Sequence, residues 1–420
     1  MTTKLYQKDV YIRTWSARVT GCRTDDEGAI LYLDSTAFFP EGGGQSCDTG
    51  YIEFCLNDEP RIIKVTDVQE DGDEVAHRAE GAVFPPEGTE VTCSLNWARR
   101  FDNMQRHCGE HILSGIFYSR CGGVNRGFHM GEDYMTIDIS LEEDPGNPEF
   151  SRPEVIDEEL AAECELMANR VIWSDAPVHV FRFDSRAEAE KMPLRKKLAF
   201  DEDISIVCVG SPEEASDCVA CCGTHPGTAG QVGLIKILKV ENYKGMFRIF
   251  FEAGERALKD YAFKHRMLTD LAGEYSSSVE DFPARLKAQE HKIAELKNNL
   301  FTVKKAYLAG EQVRLDKMLA DTTGPLLFTL DNMSMDDAFT LAKNYMGKPA
   351  CMGRLILIYV PGETSFILVS DGNPHCGKLV KEYASFYKGK GGGSDTNARA
   401  IFSSEEDAML FADLLDKHLR

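Results

Sequence analysis

What this 420-residue chain lacks narrows its class before any motif is read. No run approaches ~18 consecutive apolar residues, and the opening MTTKLYQKDV has no apolar stretch of the kind a secretion signal needs. Neither membrane insertion nor secretion is expected. Positive net charge is absent as well: 47 Lys and Arg against 68 Asp and Glu leave −21. That excludes non-specific nucleic-acid binding by the whole surface and leaves any RNA partner to local basic patches. The thirteen cysteines are an odd number spread over many segments and do not make a disulfide framework, so a reducing cytoplasm is the expected setting. What is present, 43% hydrophobic and 27% charged residues, is ordinary for a globular chain of two to four domains.

Two short stretches stand out. RHCGEHILSG, residues 106–115, sets His107 and His111 four apart in a window whose Met104, Ile112, Leu113, Ile116 and Phe117 recur at helical spacing. On a helix such a pair shares one face, so two imidazoles can grip one ion. Far downstream, CVACCGTHPGTAG, residues 218–230, sets Cys221 and His225 in a second metal-type spacing inside a Gly-rich loop. Three nitrogens and one sulfur form a tetrahedral set that suits one Zn2+ per chain. Singly, each residue reads as a core histidine or a small buried thiol; the two spacings together favour the metal. Cys218 and Cys222 compete as the sulfur ligand, and Cys221 is preferred because Cys222 leaves only CxxH. Glu110 is a candidate general base, although ideal helix geometry turns it roughly a quarter turn off the histidine face.

In chain order, residues 1–95 read as strands. Ile30–Leu33, Tyr51–Leu56 and Ile62–Val65 are short apolar runs between Gly, Asp and Pro clusters, the spacing of a small β-barrel or curled sheet. Inside lies FFPEGGGQSCDTG, residues 38–50, whose three glycines fit either a close approach to a ligand or an ordinary hairpin turn. Gln45 behind them is placed to orient a substrate. Residues 96–253 hold both metal-type motifs, the first on a helix expected to begin near Asn96. Arg99 and Arg100 at its start are either basic groups near the site or surface arginines. A strand at Tyr134–Ile139, a helix over Pro153–Trp173, strands at Val178–Phe183 and Ile204–Val209, and two strands joined by an Asn-Tyr-Lys-Gly turn complete the segment. His129, alone in a Gly-flanked loop, stays outside the metal set.

Residues 254–320 change character. Leu286, Ile293, Leu300 and Tyr307 fall seven apart, with Leu296 and Val303 on a second seam and Pro283 at the start, which predicts a coiled-coil or helical-hairpin spacer. Residues 321–420 form a small α/β unit with strands at Leu326–Leu330, Arg354–Val360 and Ser365–Ser370 and helices at Met335–Tyr345, Lys378–Tyr387 and Glu405–His418. KGKGGGSDTNARA, residues 388–400, sets Lys388, Lys390 and Arg399 around a glycine run near a helix start, where backbone N–H groups can meet phosphate. It lacks the GxxxxGK[ST] spacing of a nucleotide-binding P-loop. The fold class expected is α+β.

FFPEGGGQSCDTG, RHCGEHILSG, GFHMGEDYMTID and CCGTHPGTAGQVG occur in the order found in the editing domain of alanyl-tRNA synthetase. The chain resembles its free-standing relatives, the AlaX-type alanyl-tRNA editing proteins. The heptad segment and terminal GKGGGSDTNARA look like the helical spacer and DHH-associated C-terminal domain of the long AlaX form, so the resemblance spans nearly the whole chain. With no aminoacylation domain ahead of the editing part, it implies a protein that does not charge tRNA itself. It carries the zinc ligands onto His107, His111, Cys221 and His225, and lines the amino-acid pocket with Thr36 and Gln45. Cys222 departs from the pattern, which usually has Gly there.

The implied reaction is deacylation of tRNA(Ala) mischarged with serine or glycine. A pocket built for alanine cannot strongly reject a smaller or merely hydroxylated analogue, so a second site must remove the errors. Thr36 is the candidate to accept the serine hydroxyl. Four protein ligands leave the metal no vacant position, which favours substrate positioning over direct water activation. Arg99, Arg100, Lys388, Lys390 and Arg399 are the expected tRNA contacts, and the spacer or C-terminal domain is a candidate homodimer surface. Two rivals remain: an HxxEH metallopeptidase, which needs a downstream Glu ligand where this chain has CxxxH, and a non-catalytic zinc module that binds tRNA or a synthetase.

Overall fold

Strands Gly28–Leu33 and Glu74–Glu80 bury every second residue, the pattern of a sheet with one covered face. In the computed structural model, which describes residues 1–26, 28–142, 152–198, 201 and 204–420, that sheet closes on itself. The first elements are β1 (Thr3–Lys4), β2 (Thr14–Asp25), β3 (Gly28–Leu33), β4 (Ser35–Thr36), β5 (Gly50–Leu56), β6 (Glu59–Asp71), β7 (Glu74–Glu80) and β8 (Glu90–Leu95). Six of them form a closed barrel in the order β2-β3-β7-β6-β5-β8, while β1 pairs in parallel with β4. Leu31, Leu33, Ile52, Val65 and Val75 fill the interior.

Thr36, the residue expected to read a serine hydroxyl, lies inside this barrel. It is fully buried, its Oγ1 is 2.8 Å from His77 Nε2 and it accepts from the Phe38 amide. His77 Nδ1 faces the Leu31 carbonyl at 3.0 Å, which makes Nδ1 the protonated nitrogen and Nε2 the acceptor of the Thr36 proton. Burial holds the His77 pKa down to about 4. The unfolded chain binds a proton below about 6.5 that the folded chain refuses until about 4. Stability is therefore lost as pH falls through that window, by up to about 3 kcal/mol. Denaturation between pH 4 and 7 should show a shallower pH slope in His77→Leu than in the unaltered protein.

Asn96 ends the barrel and begins α1 (Trp97–Cys121), accepting from the Arg99 amide as an N-cap, the start its sequence predicts. Two buried ion pairs fix this helix: Arg100 to Asp48, and Arg106 to Glu252 at 2.7 Å. β9 (Val124–Met130) and β10 (Met135–Ser140) follow, then α2 (Glu158–Trp173), whose start is set by Asp157 accepting from the Leu160 amide rather than at Pro153. β11 (Val178–Phe183), α3 (Arg186–Ala189), β12 (Ile204–Val209) and β13 (Asp217–Ala220) lead to β14 (Ile235–Tyr243), β15 (Met246–Ala253) and α4 (Gly254–Glu274). Two antiparallel sheets result, β14-β15-β10-β9 and β11-β12-β13. Cys208 and Cys218 face each other in register on β12 and β13 and are disulfide-bonded, a local link not expected from the scattered cysteine spacing.

Met1–Leu271 is one compact unit and Ala272–Arg420 a second. The second contains α5 (Phe282–Asp321), β16 (Leu326–Thr329), α6 (Met335–Ala342), β17 (Ile356–Val360), β18 (Ser365–Val369), α7 (Cys376–Tyr383), β19 (Lys390–Gly393), β20 (Asn397–Ile401) and α8 (Glu405–Leu419). Its sheet runs β16-β17-β18-β20-β19, with Leu315 and Leu319 of α5 buried on it. Heptad residues Ile293, Leu296, Leu300, Val303 and Tyr307 are exposed. The glycine run, expected from sequence as a loop that either meets phosphate or is simply flexible, is edge strand β19, paired with β20 from Lys390–Ile401 to Gly393–Ala398. Among the described residues no helix is long and apolar enough to cross a membrane.

Candidate metal centre

Helix α1 brings His107 and His111 onto one face, their rings 5.2 Å apart. The loop after β13 brings Cys221 and His225 against them, with His225 at 4.7 Å from the His107 ring and 4.9 Å from the His111 ring. One donor atom from each of the four lies within 4.8 Å of the others. Gly223 permits the approach, because a Cβ there would collide with the His107 ring.

Second partners orient both helix histidines. Gln45 Oε1 accepts from the Thr224 amide at 3.0 Å, which identifies it as the oxygen, so His107 Nδ1, also 3.0 Å away, donates to it. Asp217 Oδ2 accepts from His111 Nδ1 at 3.0 Å and is itself gripped by Arg195. Each imidazole therefore turns its Nε2 inward, the arrangement that prepares a metal ligand. His111 Nε2 and His225 Nδ1 are buried with no hydrogen-bond partner.

The residues fit zinc. Tetrahedral Zn–N and Zn–S bonds place ligand atoms about 3.3–3.6 Å apart, and Cys221 Sγ lies 3.4 Å from His107 Nε2 and 3.7 Å from His225 Nε2. Charge agrees with distance. Burial alone would raise the Cys221 pKa, but the surrounding His107, His225 and His111 draw it well below its usual value. Burial lowers His225 to about 4, whereas for His111 burial is outweighed by the Cys221 thiolate and Asp217, which lift it to about 10. A buried thiolate beside three imidazoles is a donor set suited to a divalent cation.

Glu110 is not turned away as ideal helix geometry predicts. It lines the same cavity of about 230 Å³ as His107, His111 and Cys221. Its Oε1 accepts from Ser114 Oγ at 2.6 Å and from Asn125 Nδ2 at 2.8 Å, while Oε2 lies 4.0 Å from His111 Nδ1. Position 110 is three residues from 107, close enough on a helix for a long side chain to swing across. Gln45 is fully buried against His107, and the glycines before it, with Gly43 and Gly44 at positive φ, make a tight turn that also meets the cavity at Gly43.

The basic residues divide. Arg100 is fully buried, bonded to Asp48 and to the Val10 and Ala37 carbonyls, so the expected tRNA contact there is corrected to an internal tie. Arg99 is half-buried on the Cys47 carbonyl. In the second unit Lys388 and Lys390 are exposed, and Arg399 pairs with Glu363. His129 is exposed, outside the cluster. Asp217, Arg195, Asn125 and Ser114 were not singled out by sequence; Asp217, Arg195 and Asn125 lie at no fixed spacing from the groups they hold, while Ser114 sits four residues from Glu110 on α1.

The family model for tRNA synthetases class II (A) matches residues 7–99. Over 97% of its length the chain is 29% identical to alanyl-tRNA editing protein AlaX-L of Pyrococcus horikoshii, covering 96% of that protein. The chain is related to the AlaX-type alanyl-tRNA editing proteins along nearly its whole length. It is also 31% identical over 98% of its length to an alanine–tRNA ligase of Pyrobaculum aerophilum, and 34% identical over 67% to one of Thermococcus kodakarensis. It spans only 44% and 29% of those ligases, less than half of either.

At the position where this chain departs from the AlaX-type pattern, the thiols separate. Cys221 faces the imidazoles, while Cys222 lies toward Gly43 with its pKa raised by burial. Cys222→Gly is expected to keep one zinc per chain and Cys221→Ser to lose most of it, as measured by metal analysis of purified protein.

Proposed function

We propose that the chain is a zinc-dependent aminoacyl-tRNA deacylase that clears serine, and secondarily glycine, from tRNA(Ala). One observation carries the reading: in a relative of AlaX-type proteins, three buried imidazoles and a thiolate converge beside a buried carboxylate in one small cavity. His107, His111, Cys221 and His225 would hold the metal, which when bound supplies positive charge and Lewis acidity beside the ester. Gln45 and Asp217 keep the helix histidines aligned. Glu110, anchored through Oε1 by Ser114 and Asn125, presents Oε2 to take a proton from the attacking water. Water adds to the ester carbonyl, the carbon–oxygen bond to the terminal ribose breaks, and free amino acid and tRNA leave.

The chemistry is assigned to residues 96–253, with the barrel of residues 1–95 contributing Gln45. The spacer 254–320 and the DHH-associated part 321–420 are assigned to tRNA contact, through Lys388, Lys390 and Arg399 with Arg99 nearer the site, and to a homodimer through the exposed heptad seam. Such an enzyme works in the cytoplasm. Incubation with Ser-tRNA(Ala), Gly-tRNA(Ala), Ala-tRNA(Ala) and a peptide set tests the reading. Serine is released fastest, glycine more slowly, alanine is largely retained and peptides stay intact. Peptide cleavage would favour the metallopeptidase, and no hydrolysis at all a structural zinc module.

A further inference from the structure

The metal-site cavity does not end at the metal ligands. Arg126, Arg195 and Lys196 line it and also line a neighbouring cleft of about 700 Å³, so they stand where the two meet. Among the described residues neither Arg126 nor Lys196 has an ion-pair or hydrogen-bonded side-chain partner. The Arg195 side chain is 4% exposed; it binds Asp217 through two of its nitrogens, and its third, Nη1, is buried without a partner. Asp217 offsets the Arg195 charge, while Arg126 and Lys196 have no carboxylate in ion-pair contact among the described residues. Glu190 in the cleft pairs with Arg186, and Glu110 across the cavity accepts from Ser114 and Asn125. In a chain of net charge −21, two cations without an ion-pair partner among the described residues, beside an open Arg195 Nη1 donor, make an anion site at the cavity mouth.

We infer that Arg126 and Lys196, backed by Arg195, seat the phosphodiester on the 5′ side of the terminal nucleotide whose ester is cleaved. The inference rests on the deacylase reading and deepens it. An RNA end that brings its ester to the metal cluster carries a phosphate one nucleoside away, and the cations are one cavity away. Phosphate contacts position a nucleic acid without reading its sequence, which is what an enzyme acting on a constant acceptor end requires. Guanidinium and ammonium groups with no internal partner are free to take that role.

The test compares two small esters, 3′-seryl adenosine and 3′-seryl adenosine 5′-monophosphate. The phosphate should raise kcat/KM roughly tenfold, chiefly through KM, the size of one good charge-assisted contact. In Arg126→Gln/Lys196→Gln that ratio should fall to near one, and Arg126→Lys/Lys196→Arg should restore most of it. Because the readout is a ratio within one protein, general damage to the fold cancels. A ratio unchanged in the Gln pair overturns the inference. If the unaltered protein cleaves neither ester, the deacylase reading fails, and affinity for the trinucleotide CCA decides the anchor alone. Roughly tenfold weaker binding by the Gln pair supports it, and equal binding overturns it.

Discussion

His107→Ala is expected to slow release of serine from Ser-tRNA(Ala) by more than roughly a hundredfold and to lower bound zinc in parallel. The lower bound comes from its neighbours, since losing an outer partner of a metal ligand already costs about 10–100-fold. His107 is a central member of the cluster. Its ring lies within 5.2 Å of both other histidine rings, its Nε2 is 3.4 Å from Cys221 Sγ, and Phe128 stacks on it at 5.6 Å. Removing it takes a ligand nitrogen from beside the Cys221 sulfur and opens a void under Phe128. Asp217→Asn keeps shape but removes the charge that orients His111, and should fall within about 10–100-fold. The ordering, His107→Ala below Asp217→Asn below the unaltered protein, is read in initial rates and zinc content on the same preparations. Unchanged rates in folded His107→Ala would remove the metal from the chemistry.

Asp48→Ala is expected to destabilise the first unit by about 3–5 kcal/mol, because it strands a buried guanidinium. Arg100 is fully buried and spans three segments, reaching Asp48, the Val10 carbonyl at 2.8 Å and the Ala37 carbonyl at 2.6 Å. The same group that ties α1 to the barrel also fixes the start of the helix that carries His107 and His111. Truncating Arg100 leaves Asp48 charged and buried and should cost a similar amount. Replacing both residues by apolar ones of similar volume should recover much of the loss, since no unpaired charge then remains. Denaturant titration followed by Trp97, which packs on Phe101 at the first turn of α1, reports this unit. A loss under about 1 kcal/mol, typical of a surface pair, would contradict it.

The legible parts of the fold were those with a strict period. Alternating burial in Gly28–Leu33 and in Gly50–Leu56 marks strands, and Asn96 before an apolar-periodic run marks the start of α1. The metal quartet was legible because each half has a fixed spacing on one local element. The partner of Thr36 was not legible, because only barrel closure puts His77 against it. Arg100 was misread because an arginine at a helix start is usually solvated, and Asp48, 52 residues earlier, becomes its partner only in three dimensions. Arg195 and Lys196 lie in a stretch with no periodicity, and Arg126 sits on a short strand beside glycines, so nothing local marks them as facing one cavity.

The central claim is that the 107/111 and 221/225 pairs jointly hold the ion on which ester cleavage depends. Its most direct measurement is the initial rate on Ser-tRNA(Ala) for one preparation as purified, after chelation, and after readdition of stoichiometric Zn2+, with metal content read at each stage. The account predicts about one zinc per chain, loss of both metal and serine release on chelation, and recovery of both together. Full hydrolysis by protein shown to be metal-free and folded would contradict it.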